Sequence, residues 1–389
     1  ENQSENQSEK LCKNPEIAEV WNAVMEQESG WLGADGIYSV TEPESGDVYL
    51  HFSDTMCGTT RNSGRDYGDV YMVNHTFWRV PDFEPPMDEE QAGKVEFFVP
   101  PRGKNLLPDR YWLQAGIILR DEFQRPFLHT TGMIPDSAWK PTRVDWVAIP
   151  ILDGGKLDFQ NVKIERNTPI LAKTERGPII FGAAFLEEAE YVYIFGYRDA
   201  VREFSRKDMV LARVEADKLT DFSAWRFWAG TGNNWVHGRL ARSEAETSTD
   251  ADEDVRAPSE VKTDGWSENI QDCVPLVRGI SCEFSVSRIP TGPAAGKFLL
   301  VYTRGGISPE IAYRTASTPE GSYGEEVVFC RVPEHADGIS AYNAKGHPAL
   351  SPPGKLVISA NLNRLGHLPR QPKEYRPRFW TLDYEGIEK

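Results

Sequence analysis

The sequence predicts an all-β protein, a five-bladed β-propeller preceded by one short helix. Strand-like stretches, alternating or fully apolar, fall into five groups along the chain and are separated by turn residues. The 32 Gly and 27 Pro supply the turns that many short strands require. Five groups of about four strands, each about 60–80 residues long, have the dimensions of propeller blades.

One segment near the start of the chain has a helical pattern, "PEIAEVWNAVMEQE" from Pro15 to Glu28. Its apolar residues recur at helical spacing: Ile17, Val20, Trp21 and Val24. Residues 1–14 contain ENQS twice and have no apolar stretch, which predicts a disordered tether, such as remains after a signal segment is removed. Residues 15–389 are then expected to form a single propeller domain of an exported protein.

The strand groups share an order of elements. The first contains GIYSV, DVYLHF and VYMVNHTFWRV, and the second contains KVEFFVP, RYWLQAGIILRD, PFLHTTGMI and VDWVAIPIL. The third includes YVYIFGYRD and DMVLARVEADKL, the fourth runs from SCEFSVSRIP to EEVVFCRVP, and the fifth runs from AYNAKGH to PRFWTLDY. The third and fourth groups match in detail, which favours blades over the alternative of two packed β-sandwiches.

Charge and composition exclude several classes of function. A net charge of −16 argues against nucleic acid as a partner. The sequence has no run of eighteen apolar residues, so no membrane span is predicted. No metal-ligand spacing, phosphate-binding loop or serine nucleophile elbow occurs, so neither a metal nor a cofactor is expected. The five cysteines are an odd number, and Cys273 and Cys282 could form a local bridge. Residues 243–264 are acidic and predict an exposed insertion.

A hairpin from Gly30 to Thr55 carries an aspartate at each end, Asp35 where it starts and Asp54 where it finishes. The turn TEPESGD lies midway between them, so the two residues should face each other with Cβ atoms about 4.5–5.5 Å apart. Close carboxylates repel, which raises one pKa and keeps that group protonated near neutral pH. The hairpin therefore predicts an acid–base pair; the alternative is two solvated turn residues.

The phrases WLGADGIYSV, VYLHFSDT and MVNHTFW resemble the first blade of five-bladed propeller glycoside hydrolases. Further similar phrases, among them CEFSVSR, RTASTPEGSY and KGHPALSPPGKLVISANLN, occur in the family's order and cover nearly the whole chain after residue 29. The most similar characterised group is the endo-D-arabinanases, which cleave D-arabinofuranosyl chains. HFSDT and NHT depart from the FGDT and NNS that are usual in the family.

The resemblance implies a glycoside hydrolase acting on the furanosidic linkages of an arabinan-type polysaccharide. The polar tether adds the expectation of a secreted, periplasmic or cell-surface location. A non-catalytic propeller that binds glycans is the alternative from another class. A propeller glycosidase acting on fructan or L-arabinan is a third possibility.

Three carboxyl groups are the candidate catalytic residues. Asp35 is expected to be the nucleophile and Asp54 the acid/base, with the roles exchangeable. Glu283 in CEFSV is the rival acid, because in arabinanase-like propellers a Glu from a later blade supplies the general acid. Nine further residues are expected to contact the sugar because they are polar or aromatic at strand ends or in loops: Trp31, Asn74, His75, His129, Asp199, Trp235, Arg304, His347 and Asn361. Each also has a structural explanation, as core packing or as a satisfied core histidine.

Overall fold

The computed structural model describes residues 16–166, 168–199, 206–231, 264–334, 338–364 and 369–388. The predicted tether, Trp235 and nearly all of the acidic insertion lie outside these ranges. Two helices occur in the described chain, α1 (Glu16–Val24) and α2 (Glu89–Ala92), together with short 3₁₀ turns. The remaining regular structure is β, so the all-β prediction is confirmed.

The strands follow one another in chain order: β1 (Ser29–Ala34), β2 (Tyr38–Thr41), β3 (Val48–Phe52), β4 (Thr55–Arg61), β5 (Asp66–Val73), β6 (Thr76–Val80), β7 (Glu96–Phe98), β8 (Trp112–Arg120), β9 (Pro126–Pro135), β10 (Pro141–Pro150), β11 (Lys163–Glu165), β12 (Leu171–Thr174), β13 (Gly177–Glu188), β14 (Tyr191–Asp199), β15 (Lys207–Glu215), β16 (Arg226–Trp228), β17 (Trp266–Ser267), β18 (Val277–Ile280), β19 (Phe284–Arg288), β20 (Phe298–Thr303), β21 (Glu310–Ala316), β22 (Val327–Arg331), β23 (Ser340–His347), β24 (Lys355–Asn363) and β25 (Arg378–Asp383).

Five antiparallel meander sheets follow the chain. Their strand orders are β2-β3-β6-β7, β8-β9-β10-β11, β12 to β17 with β18 paired to β15, β19-β20-β21-β22, and β23-β24-β25. A further small sheet, β1-β4-β5, extends the first hairpin.

One strand from each meander sheet contacts a strand of the next sheet, so the sheets succeed one another around a ring. The contacts run from β2 to β8, from β8 to β13, from β13 to β19, and from β19 to β23. The last sheet returns to the first through a hydrogen bond of 2.9 Å between the Ser39 hydroxyl and His347 Nδ1. This arrangement is propeller-like.

Helix α1 packs against the last strand and fastens the two ends of the chain together. The Asn22 side chain donates to the Phe379 carbonyl (3.1 Å) and accepts from its N–H (2.9 Å). Trp21 is fully buried between the rings of Phe379 and Phe83. The helix ends at Val24 rather than at the predicted Glu28, and residues 25–28 connect it to β1, which begins at Ser29.

The predicted membership of the first two strand groups was wrong at two points. The segment VYMV forms the end of β5 in the small sheet, whereas the following TFWRV forms β6 of the first meander. KVEFFVP, assigned to the second group, supplies β7 of the first sheet. Both differences arise because the first hairpin bends out of the small sheet into the first meander. The strands that follow it therefore belong to different sheets from those predicted.

Two other sequence-based expectations concern cysteines and membrane spans. Cys273 and Cys282 are both free, so the expected bridge between them is wrong. Cys273 is packed in the core of the third sheet, whereas Cys282 lies beside the Asn343 amide at 3.8 Å. Cys330 is disulfide-bonded. Within the described ranges, no helix has the length and apolar character needed to cross a membrane.

Candidate active site

The first hairpin brings Asp35 and Asp54 face to face at the point where it bends from the small sheet into the first meander. Strands β1 and β4 pair up to Ala34 and Thr55, and β2 and β3 continue in the same register. The Asp35 N–H donates to the Asp54 carbonyl at 3.1 Å, and the Asp35 carbonyl accepts from the Ser53 N–H at 2.8 Å. Opposed residues of antiparallel strands project on one face, so the expected juxtaposition is confirmed.

Glycine and serine fix the bend on either side of the two aspartates. Gly36 has φ of +62°, and a Cβ at this position would lie 2.6 Å from the Ser53 hydroxyl oxygen, so no other residue fits without strain. The Ser53 hydroxyl accepts from the Leu113 N–H (3.0 Å) and donates to the Leu113 carbonyl (3.2 Å). The bend is thereby attached to β8 of the second sheet.

Tyrosines surround the Asp35 carboxyl. Tyr342 donates its hydroxyl hydrogen to Asp35 Oδ2 at 3.2 Å, and Tyr375 lies beside the same carboxyl while donating to the Asp54 main-chain carbonyl at 3.1 Å. Burial, followed by repulsion from Asp54 and from Glu283, raises the pKa of Asp35 well above its usual range, although both tyrosines oppose this shift. The surroundings of Asp35 therefore favour the protonated form of its carboxyl group.

Asp54 is bound by neutral donors. Its Oδ1 accepts a hydrogen bond of 3.2 Å from the Asn74 amide, and the Trp112 side chain donates to the same carboxyl. Burial raises the pKa of Asp54, and these two hydrogen bonds act against that rise. Burial thus raises the pKa of both aspartates, and the negative charge of Asp54 raises that of Asp35 further.

Glu283 reaches the same cluster from the segment between β18 and β19. Its carboxylate forms an ion pair of 2.5 Å with Lys345, whose side chain is 2% exposed. The Lys345 ammonium also lies 4.1 Å from the centre of the Tyr38 ring. The Tyr38 hydroxyl is buried beside the Glu283 carboxylate, and burial followed by the negative charge of Glu283 raises the pKa of Tyr38 well above its usual range. Glu283 therefore has a buried cationic partner, whereas the donors to Asp54 are neutral.

Two residues expected to contact sugar lie beside the carboxyl cluster, in different roles. Asn74 binds Asp54, as described. The Asn361 amide binds main chain on both of its ends, since it accepts from the Gly36 N–H (3.1 Å) and donates to the Ala34 carbonyl (3.3 Å). This clamp holds the backbone on both sides of Asp35, so Asn361 positions the carboxyl.

Trp31 and His75 belong to the core, contrary to expectation. Trp31 is 1% exposed and packs against Phe52 and Trp78 at ring distances of 5.3 and 4.7 Å, so neither of its faces is open to a sugar. His75 is fully buried and accepts the Leu107 N–H at Nε2, at 2.9 Å. Burial lowers the pKa of His75 to about 4, which keeps its ring neutral.

The other two histidines of the candidate set are also structural. His129 accepts the Trp146 indole N–H at 2.9 Å inside the second sheet. His347 lies between the hydroxyls of Ser39 (2.9 Å) and Ser359 (2.7 Å). Burial lowers the pKa to about 4 for His129 and to about 3 for His347. Both expectations of sugar contact are therefore wrong.

Asp199 and Arg304 are half-exposed members of ion pairs that include neither of the two aspartates. Asp199 ends β14 and pairs with Lys207 at 2.6 Å. Arg304 pairs with Glu310 at 2.8 Å and with Glu326 at 2.6 Å. Neither contacts a carboxyl group of the cluster, although Arg304 lines a cavity described below. Trp235 lies outside the described residues.

The cluster also contains residues that the sequence did not single out: Tyr38, Trp112, Tyr342, Lys345 and Tyr375. A signal for two of them was present in AYNAKGH, where a lysine, which is rarely buried, lies in the middle of a predicted strand that has no other charged side chain at neutral pH. In the described chain, no group of three or more His, Cys, Asp or Glu side chains has an arrangement that could hold a metal ion.

A family model described as "Domain of unknown function (DUF5005)" matches residues 18–383, nearly the whole chain. The chain belongs to the DUF5005 family. Two fungal proteins are similar over 161 residues: Notoamide biosynthesis cluster protein J' of Aspergillus versicolor at 28% identity, and protein J of Aspergillus sp. (strain MF297-2) at 26%. These matches span 41% of this chain but only 33% of each relative.

Solved structures give a fold relationship for this DUF5005 protein. A candidate hydrolase from Bacteroides ovatus ATCC 8483 is similar with a TM-score of 0.61 and 14% identity, over 93% of this chain and 88% of that chain. The two chains share a fold. An endo-arabinase from Bacteroides thetaiotaomicron VPI-5482 is similar at a TM-score of 0.45 and 10% identity, over 94% and 100% of the two chains. Likeness at that level carries no argument about activity.

Proposed function

We propose that this protein is a glycoside hydrolase, in which the five meander sheets are the blades of one propeller domain spanning residues 15–389. The observation that carries the proposal is the convergence of three carboxyl groups. Asp35 and Asp54 face each other across the hairpin bend, and Glu283 from the fourth sheet is close enough to raise the pKa of Asp35. Convergence of this kind is the requirement of glycosidic bond cleavage.

The electrostatics support a particular division of roles. Hydrolysis needs one protonated carboxyl to protonate the leaving oxygen and one ionised carboxylate to act as nucleophile or base. Asp35, whose pKa is raised, is proposed as the general acid, and Glu283, paired with Lys345, as the ionised partner. This reverses the assignment from sequence, which made Asp35 the nucleophile and Glu283 the rival acid. Asp54 then contributes the nearby negative charge that keeps Asp35 protonated.

The substrate proposal is a furanosidic linkage of an arabinan-type polysaccharide, and the proposed location is outside the cell. Both rest on the resemblance of the first-blade phrases and on the polar N-terminal stretch. L-arabinan and fructan are the other furanosides that the same site would suit. No metal or cofactor takes part in the proposed reaction.

The test is the release of reducing ends from D-arabinan, L-arabinan and fructan by the wild-type protein and by an Asp35→Asn variant. General acid catalysis contributes about 10²–10⁴-fold, so the variant should lose about that factor while its thermal unfolding stays cooperative. Asp217→Asn, on an exposed 3₁₀ turn, is the matched control and should keep full activity. Activity that survives in Asp35→Asn would refute the assignment. Release from none of the three polymers would favour a glycan-binding propeller.

A further inference from the structure

We propose that a groove lined by arginines beside the carboxyl cluster binds an acidic polysaccharide through the carboxylate or sulfate groups on its sugars. The groove consists of two cavities, of about 770 and about 610 Å³, that meet at Arg278. Six arginines line this arginine groove: Arg176, Arg198, Arg213 and Arg278 in the larger cavity, and Arg206, Arg278 and Arg304 in the smaller one. Both volumes lie in the range of sites that enclose ligands, about 300–1,000 Å³.

The concentration of positive charge is unusual in a chain whose net charge is −16. Arg198 is 7% exposed, and its nearest acid, Asp208, lies at 3.8 Å, too far for a tight pair. Burial and then repulsion from Arg176 and Arg278 lower the pKa of Arg198, despite the attraction of Asp208. Mutual repulsion among guanidinium groups is a cost that a bound oxyanion relieves, and the planar fork of arginine suits carboxylate and sulfate oxygens.

Arg213 is held ready for such a ligand. Its guanidinium lies 4.2 Å from the Trp266 ring centre and 4.4 Å from that of Tyr191, which fixes its plane. Its ion pair with Asp264 is loose, at 3.4 Å, and its Nε is buried with no hydrogen-bond partner in the described chain. Acidic residues also line the groove, so its charge is patterned rather than uniform: Asp264, Glu310, Glu320 and Glu326. A ligand with spaced charges therefore fits better than a continuous anion.

Aromatic side chains make the larger cavity suitable for sugar rings. Trp228 and Trp266 both line it, with ring centres 5.1 Å apart at a steep angle. Trp228 remains partly exposed where it lines the cavity. Flat aromatic surface takes the apolar face of a sugar, while the neighbouring arginines take its anionic groups. This combination favours an acidic glycan over a simple polyanion.

The groove leads towards the proposed catalytic groups. Arg278 lies on β18 and is five positions before Glu283, so their Cα atoms are at most about 18 Å apart. At the smaller cavity, Ile307 forms a β-bridge with Tyr342, the residue whose hydroxyl binds Asp35. Arg278 thus places the groove within about 18 Å of Glu283, and we take a long glycan bound there to continue towards the carboxyl cluster; this part of the inference rests on the proposed function, whereas binding in the groove does not.

The test is calorimetric binding of four polymers to the Asp35→Asn protein, in which turnover is expected to be slow: polygalacturonate, dextran sulfate, neutral arabinan and inorganic polyphosphate. One of the two acidic glycans should bind at least about tenfold more tightly than arabinan and polyphosphate. Tighter binding of polygalacturonate would identify carboxylate as the recognised group, and tighter binding of dextran sulfate would identify sulfate. Arg278→Gln should weaken that binding about tenfold, in line with the loss of one charge-assisted contact. Arg278 is exposed, so its replacement should leave folding intact.

Arg125→Gln is the matched control. Arg125 is an exposed arginine on the turn between β8 and β9, and its replacement by Gln changes the net charge by the same amount as Arg278→Gln. Equal binding by Arg278→Gln and Arg125→Gln would overturn the inference. So would equal binding of arabinan, or of polyphosphate, and of the acidic glycans. Hydrolysis that fails while groove binding persists would reject only the proposed function. Hydrolysis that persists while Arg278→Gln changes no binding would reject only the groove.

Discussion

Replacing Lys345 by Met is expected to destabilise the protein by about 3–5 kcal/mol, because it leaves Glu283 as a buried charge without its partner. The two side chains are 2% and 15% exposed, and the ion pair measures 2.5 Å. Solvent therefore screens the pair little, and it cannot rehydrate the carboxylate fully when the ammonium is lost. The variant also loses the contact of 4.1 Å between the ammonium and the Tyr38 ring.

The loss should be measurable as a change in melting temperature. An unfolding entropy of about 2.1 cal/mol/K per residue gives about 0.8 kcal/mol/K for 389 residues, so the expected decrease is about 4–6 °C. Circular dichroism at pH 7.5 would follow it. The double variant Lys345→Met/Glu283→Gln removes both charges and should recover most of the loss. Lys94→Met, which breaks an exposed pair with Glu90, is the control and should leave the melting temperature unchanged. A single variant as stable as wild type, or a double variant no better than the single one, would refute the reasoning.

Three further outcomes follow from the site and its supports. Asp54→Asn removes a negative neighbour of Asp35, so the pKa of Asp35 falls and the basic limb of the kcat/KM profile should move to lower pH; an unmoved limb would contradict this. Four buried histidines have pKa values lowered to about 3 or 4: His51, His75, His129 and His347. These histidines bind protons near pH 6.5 in the unfolded chain but only near pH 4 in the folded chain, so the urea midpoint of unfolding should fall as the pH drops between these values. The raised pKa values of the aspartates act in the opposite direction and offset part of this fall. A midpoint that does not change with pH would count against burial of the histidines. Gly36→Ala should lower the melting temperature more than Gly30→Ala, because both have positive φ but only Gly36 meets a neighbour, at 2.6 Å; equal losses would show that the contact with Ser53 is unimportant.

The hairpin was predictable because its determinants are local. The turn is set by nearby groups, such as the Glu42 carboxylate, which accepts from the Ser45 N–H at 2.6 Å. Counting outwards from this turn was enough to place Asp35 opposite Asp54. The bend at the aspartates was not predictable, because the Asn361 clamp on the Gly36 N–H comes from 325 positions along the chain.

The partners of the carboxyl groups were missed for a physical reason. In β23 the pairing register shifts between Tyr342 and Lys345, so simple alternation does not tell which side chains face the cluster. Sequence reasoning selected His347 from the same strand, but its ring is enclosed by two serines. A polar side chain in an apolar strand signals an unusual environment without saying whether that environment is a site or a satisfied core.

Net charge was also an incomplete guide to ligands. The value of −16 argued against nucleic acid, a polyanionic partner, yet six arginines line one groove. Local potential depends on where charges lie on the folded surface, and side chains distant in sequence, such as Arg198 and Arg278, come together only through the fold.

The most direct test of the proposed roles is the rate of cleavage of two aryl arabinofuranosides, one with a dinitrophenol and one with a phenol leaving group. A good leaving group needs no protonation, whereas a poor one depends on the general acid. We expect Asp35→Asn to retain activity on the dinitrophenyl substrate and to lose about 10²–10⁴-fold on the phenyl substrate. We expect Glu283→Gln to be inactive on both. The reverse pattern, with Glu283→Gln retaining the dinitrophenyl activity and Asp35→Asn losing it, would contradict the assignment and make Glu283 the acid.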